Sequence, residues 1–140
     1  MAIQKQEFYE GAALHLLVRN AGEVNLRYDH PFFVADERLL IHIKHSTKKR
    51  SPWGFTFTPD EQVALEQRST KLSVWLGLVC GADGVAAVGY DEYRRIAQLR
   101  DSSIHVACYR RHRQHYEVSG PDGTIDRKVA PSEWHRLLES

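Results

Sequence analysis

Apolar positions recur at helical spacing over residues 7–19, where Phe8, Ala12, Ala13, Leu16 and Leu17 form one broad stripe and Asn20-Ala21-Gly22 supplies a stop. Residues 24–28, 32–35 and 39–45 then read as strands, the last two joined by a tight hairpin at Asp36-Glu37. Residues 53–58 form another short strand. Thr58-Pro59-Asp60-Glu61 opens a second helix running to about residue 68, with Thr58 as N-cap, Pro59 in the first helical position and Glu61 completing a capping box. An apolar strand over 71–80, the turn Gly81-Ala82-Asp83-Gly84 and a partner strand over 85–88 come next. A third helix over 91–99, late strands over 104–109 and 114–118, a turn at Gly120-Pro121-Asp122-Gly123 and a terminal helical turn over 132–138 complete the chain. No repeat, linker or low-complexity segment interrupts it. The order predicts an α/β (α+β) domain with a mixed central sheet flanked by helices.

Composition narrows the class. The chain has 140 residues, 42% hydrophobic and 26% charged, which predicts one globular domain over 1–140 and excludes a largely disordered chain. No apolar stretch approaches the ~20 residues that cross a bilayer, and no basic-then-apolar leader opens the sequence. Cys80 and Cys108 sit in apolar runs without metal spacing, as small core residues rather than a disulfide framework. The expectation is a soluble, cytoplasmic protein with no membrane association. Net charge is only +1, from 19 Lys and Arg against 18 Asp and Glu. Its placement says more. Arg38, Lys44, Lys48, Lys49 and Arg50 fall in one acid-free stretch, and Tyr109-Arg110-Arg111-His112-Arg113-Gln114-His115-Tyr116 interleaves basic and aromatic side chains. Phosphate binding needs several cations together, so Lys48, Lys49, Arg50, Arg110, Arg111 and Arg113 are candidate nucleic-acid contacts.

The strand over 39–45 carries the most chemistry. With Asp36-Glu37 as the turn, Phe33 pairs with Leu40, Phe32 with Ile41, Pro31 with His42 and Asp29 with Lys44. Phe32, Val34, Leu39, Ile41 and Ile43 then share a buried face, while Asp29, His42 and Lys44 share the opposite one. An acid, an imidazole and an ammonium there could hold a divalent metal and a phosphate. Asp36, at the hairpin tip, is a poor site residue. His42-x-x-His45 is no zinc pair, because strand alternation sends the two rings to opposite faces, and His112-x-x-His115 has no further ligand at suitable spacing.

A helix bearing Glu10, Leu14, Leu17 and a closing Gly22 precedes the Pro-led strand Pro31-Phe32-Phe33-Val34-Ala35. Leu40-Ile41-His42-Ile43-Lys44-His45-Ser46 and the capped Thr58-Pro59-Asp60-Glu61 follow. Over roughly residues 4–90 this series resembles the PD-(D/E)XK nuclease superfamily, especially its small Holliday-junction-resolvase-like members. The resemblance implies a restriction-endonuclease-like αβββαβ core, here with extra C-terminal strands. It also implies a magnesium site built from a strand-two Asp and an acid two residues before a strand-three Lys, with that Lys activating water and a helix-one Glu assisting. Lys44 and Glu10 match their slots. Phe32 stands where the metal-binding Asp belongs and His42 where the second acid belongs. Asp29 would replace the missing Asp only by a shift along the strand. An imidazole suits Mn²⁺ better than Mg²⁺.

Three functions are thereby open. The leading one is a nucleic-acid-associated protein, binding DNA or RNA, whose metal and catalytic site is degraded. The second is an active metal-dependent endonuclease or phosphodiesterase, with Glu10, Asp29 and His42 on Mg²⁺ or Mn²⁺, Lys44 polarising water, and His42 as ligand or base. The third is a non-catalytic subunit, or a homodimer, that uses the same scaffold. Its contact surface would come from Phe32, Phe33, Trp53, Tyr90, Tyr93 or Trp134, from a sheet edge, or from the terminal residues 134–137.

Overall fold

The computed structural model describes residues 2–139. Helix α1 (Lys5–Val18) is closed at its start by Glu7, whose Oε1 accepts the Gln4 amide at 2.7 Å. Strands β1 (Leu26–Asp29), β2 (Phe32–Ala35) and β3 (Leu39–Ser46) form an antiparallel meander, followed by β4 (Trp53–Phe57). Helix α2 (Pro59–Ser69) begins at the expected Thr58–Glu61 capping box and leads into β5 (Ser73–Cys80), which lies parallel to β3. Strand β6 (Gly84–Gly89), helix α3 (Tyr90–Ile96), strands β7 (Ile104–Tyr109), β8 (Glu117–Gly120) and β9 (Gly123–Thr124), and the short helix α4 (Ser132–His135) follow. The result is a mixed α+β fold. Among the described residues no helix is long and apolar enough to cross a membrane.

The strands divide into two sheets. The first has the order β1-β2-β3-β5-β6, with β3 and β5 as its parallel pair, and the second has the order β4-β7-β8-β9. The late strands join β4 in a sheet of their own. Helices α1 and α4 cover one face of the first sheet through Ala13, Leu17 and Trp134. The second sheet and helices α2 and α3 cover the other through Phe55, Phe57, Leu65, Tyr93, Ile104 and Val106. Coverage on both faces explains the unbroken apolar run of β5, because a strand with two buried faces has no polar alternate positions.

Several expectations shift with this layering. On α1 only Ala13 and Leu17 are fully buried, and Phe8, read as part of the buried stripe, is 62% exposed. The β2–β3 hairpin is displaced by one residue. Asp36 and Glu37 take left-handed backbone angles (φ 52° and 51°) and form the expected turn, but Arg38 is an extra residue after it. Ala35 therefore pairs with Leu39, Val34 with Leu40 and Phe33 with Ile41. Phe32, Val34 and Leu40 face the second sheet, whereas Leu39, Ile41 and Ile43 face α1. Helix α3 stops at Ile96, where Ala97 turns to φ −151°. Residues 111–114 make a turn, so the eighth strand starts at Glu117. Of the proposed contact aromatics, Phe32, Trp53, Tyr90, Tyr93 and Trp134 are buried in the two cores, and Phe33 is half-buried. Cys80 and Cys108 are free and buried.

The α4 side chain Trp134 is fully buried, and its Nε1 donates to the Ala13 carbonyl at 2.9 Å. The indole lies over Gly77 of β5. A Cβ at that position would stand 2.6 Å from the ring carbon Cη2. Gly77→Ala is expected to cost about 1–3 kcal/mol by overpacking a filled core, measurable as a lower urea midpoint with an unchanged denaturant slope.

Candidate functional site

Strand alternation turns His42 and Lys44 toward the second sheet and Ile41 and Ile43 toward α1. His42 is 5% exposed and packs edge-on against Phe32, with ring centroids 5.0 Å apart, and against Phe57 at 6.3 Å. The Lys44 ammonium stands 5.1 Å from the centre of the Phe57 ring. Such an apolar setting tolerates a cation only when it is paired.

The partner is Glu61, which the sequence marks only as a helix cap. One carboxylate oxygen, Oε1, accepts the Thr58 amide at 3.1 Å; the other, Oε2, accepts Lys44 Nζ at 2.7 Å and meets His42 Nε2 at 2.9 Å. Burial by itself would push this carboxyl up. Hydrogen bonds from His42, Lys44 and the Thr58 amide overcome that effect and hold it down to about 2. A capping glutamate leaves one oxygen unused, and that oxygen was the sequence-level signal for this contact. It became specific only once β4 had carried the start of α2 over β3.

The other candidate acids lie elsewhere. Asp29 pairs with Phe32 on β1, so it shares the face of His42 but stands on a strand beyond β2 rather than opposite Lys44. Its Oδ2 accepts Arg68 Nη1 at 2.6 Å and lies 3.6 Å from Arg27; the Arg68 hydrogen bond holds the carboxyl below its ordinary range. Glu10 sits on α1, across the sheet, hydrogen-bonded to Gln6 at 3.2 Å. On that side His45 stacks on Tyr9 with centroids 4.7 Å apart, so His42 and His45 do diverge as alternation requires. Glu10, Asp29 and His42 are not brought together as one ligand set, and among the described residues no three His, Cys, Asp or Glu side chains gather in a metal-holding group. The residues present do not fit the magnesium or manganese site implied by the resemblance.

Strand β3 pairs with β5 along its whole length but with β2 only as far as Ile41. Beyond that point its outer edge borders a cleft of about 550 Å³, whose far wall is Gly54, Phe55 and Thr56 of β4 and whose near wall is His30 and Pro31. Lys44, His42 and Glu61 line its interior. Lys48, Lys49 and Arg50 follow directly in the loop from β3 to β4 and are exposed.

That loop is fastened to the second basic segment. Ser51 Oγ donates to the Arg110 carbonyl at 3.1 Å, and Trp53 Nε1 donates to the Lys48 carbonyl at 3.0 Å. Strand pairing of Trp53 with Cys108 brings both segments to the same end of the second sheet. Their cations then separate by role. Arg110 is held by Asp83 at 2.8 Å and the Gln114 carbonyl at 2.6 Å, over the Tyr116 ring. Lys48, Lys49, Arg50, Arg111 and Arg113 are exposed, with no ion pair among the described residues.

No protein-family model, curated protein or solved structure matches this chain at a significant level. The site's chemistry rests on its own geometry.

The Glu61 carboxyl falls from about 4.5 in an open chain to about 2 when folded, so its contribution to stability is present above pH 4.5 and is lost as the pH drops toward 2. Glu61→Gln should flatten the acid limb of a stability–pH profile over that window, read by urea unfolding at each pH, while lowering stability at pH 7.

Proposed function

We propose that this protein binds nucleic acid through a cationic surface at one end of its second sheet, formed by Lys48, Lys49 and Arg50 together with Arg111 and Arg113. The observation that carries this reading is the Ser51–Arg110 hydrogen bond. It joins two basic segments far apart in sequence into one surface on which five cations have no protein counter-ion among the described residues. Several neighbouring cations are what a phosphate backbone requires, and releasing its condensed counter-ions supplies the affinity. Arg110 acts differently. Bound to Asp83 and Gln114, it holds the turn that presents Arg111 and Arg113.

Binding rather than cleavage is the reading the geometry favours. Lys44 would need to meet a metal-bound water, but its ammonium is committed to Glu61 and the remaining acids lie on other elements. The cluster instead fastens helix α2 to β3 beside the cleft. The PD-(D/E)XK resemblance remains part of the proposal at the level of scaffold, supported by the α1–meander–α2–parallel-strand order.

The test is a salt titration of binding to fluorescently labelled DNA and RNA. Lys48→Ala/Lys49→Ala/Arg50→Ala should weaken binding and make the log K versus log salt slope shallower by about 2–3 units, the change expected for three lost phosphate contacts. Equal affinity and slope in the parent and the triple variant would overturn the proposal.

A further inference from the structure

The outer face of the second sheet has no role in the cationic surface just described, yet it borders that surface. Along β7 Ile104, Val106 and Cys108 point into the core, which places His105, Ala107 and Tyr109 on the other side. Cross-strand pairing sets Gly54 and Ser119 on either side of Ala107, making a row of three small residues across the sheet. This row is open: a Cβ at Gly54 would meet nothing within 4 Å. Along β7 His105 flanks the row on one side, hydrogen-bonded to Thr56 at 3.0 Å, and Tyr109 flanks it on the other, 43% exposed. A tyrosine exposed to that extent keeps surface free for a ligand.

Tyr109 is also where the sheet meets the basic end. With Arg111, Gln114, His115, Glu117 and Lys128 it encloses a polar depression of about 430 Å³. Glu117, the strand partner of Tyr109, is paired to Lys128 at 3.0 Å, which leaves Arg111 as the uncompensated charge beside the ring. An exposed aromatic ring, an adjacent free guanidinium, and amide and imidazole groups within the same hollow match the needs of an unpaired nucleotide. The ring stacks the base, the guanidinium meets the phosphate, and the polar side chains reach the base edge. A duplex keeps its base faces covered by their neighbours and offers nothing to this ring.

We propose that the outer face of the second sheet is a single-strand binding platform on which Tyr109 stacks an unpaired base while Arg111 holds its phosphate. The proposal rests on the nucleic-acid reading above and adds strand state to it. The basic surroundings select an anionic occupant, and the open row beside Tyr109 gives a flat base room to lie.

The experiment measures fluorescence anisotropy of a labelled oligodeoxythymidylate and of a labelled duplex of equal length, for the parent, Tyr109→Ala, Tyr109→Phe and Lys48→Ala/Lys49→Ala/Arg50→Ala. Tyr109→Ala should weaken single-strand binding by about fivefold or more, the loss expected for one base stack. Tyr109→Phe should restore it, and duplex binding should be the same in all three. If Tyr109→Ala binds the single strand as the parent does, while the triple variant is weakened, the platform is wrong and the cationic surface stands. Equal losses on single strand and duplex in Tyr109→Ala would also overturn the platform, since a stack on an unpaired base would spare the duplex. Binding of neither nucleic acid by the parent would overturn both, leaving the basic end to an acidic protein partner.

Discussion

Everything in this fold is arranged around the parallel pairing of β3 with β5. A parallel pair needs a crossover, and here β4 and α2 provide it. The same crossover covers one face of the pair, while α1 and α4 cover the other. Once both faces are dry, the polar residues of β3 become a problem of electrostatics. His42 and Lys44 point into an aromatic layer, where an unpaired charge is too costly to keep. Glu61 answers both from the first turn of the crossover helix. The ion cluster therefore sits where the topology concentrates polar side chains between layers.

Much of this architecture was legible locally. The Thr58–Glu61 cap, the extended apolar run of β5 and the turn at Gly81–Gly84 each carry their own short-range signal, and each forms where expected. The failures are long-range or rest on a single residue. Arg38, one position beyond a correctly read turn, moves Phe32 and Val34 to the face opposite Ile41 and Ile43. No local signal distinguishes a two-residue connection from the same turn with a residue added. Membership of β4 in the second sheet was equally hidden, because its alternation of buried and exposed positions is the same whichever sheet it joins.

The candidate site was legible in its parts and misread in its assembly. His42 and Lys44 do stand on one face, as alternation requires, but their acid comes from a helix rather than from Asp29. Sequence distance explains the error: pairing Asp29 with Lys44 needed only the hairpin, whereas pairing Glu61 with Lys44 needed the position of a whole crossover. The two basic runs show the reverse. Their composition suggested a common surface, and the Ser51–Arg110 contact brings them to the same end. What composition did not reveal is that Arg110 is spent on Asp83 and the turn around it, so equal charges in one run have unequal duties.

The hydrogen bond from Trp134 to Ala13 spans 121 positions of the chain. Helix α1 emerges early in synthesis, but the indole that fills the space between it and Gly77 is made near the end of these residues. Until then the α1 layer has an open seam against the sheet. Helix α1 meets β3 across a short stretch of chain, but the contact that closes this seam must bridge a very long loop. The second sheet and the β3–β5 pair, built from contacts nearer in the chain, can assemble while that seam still waits for its tryptophan.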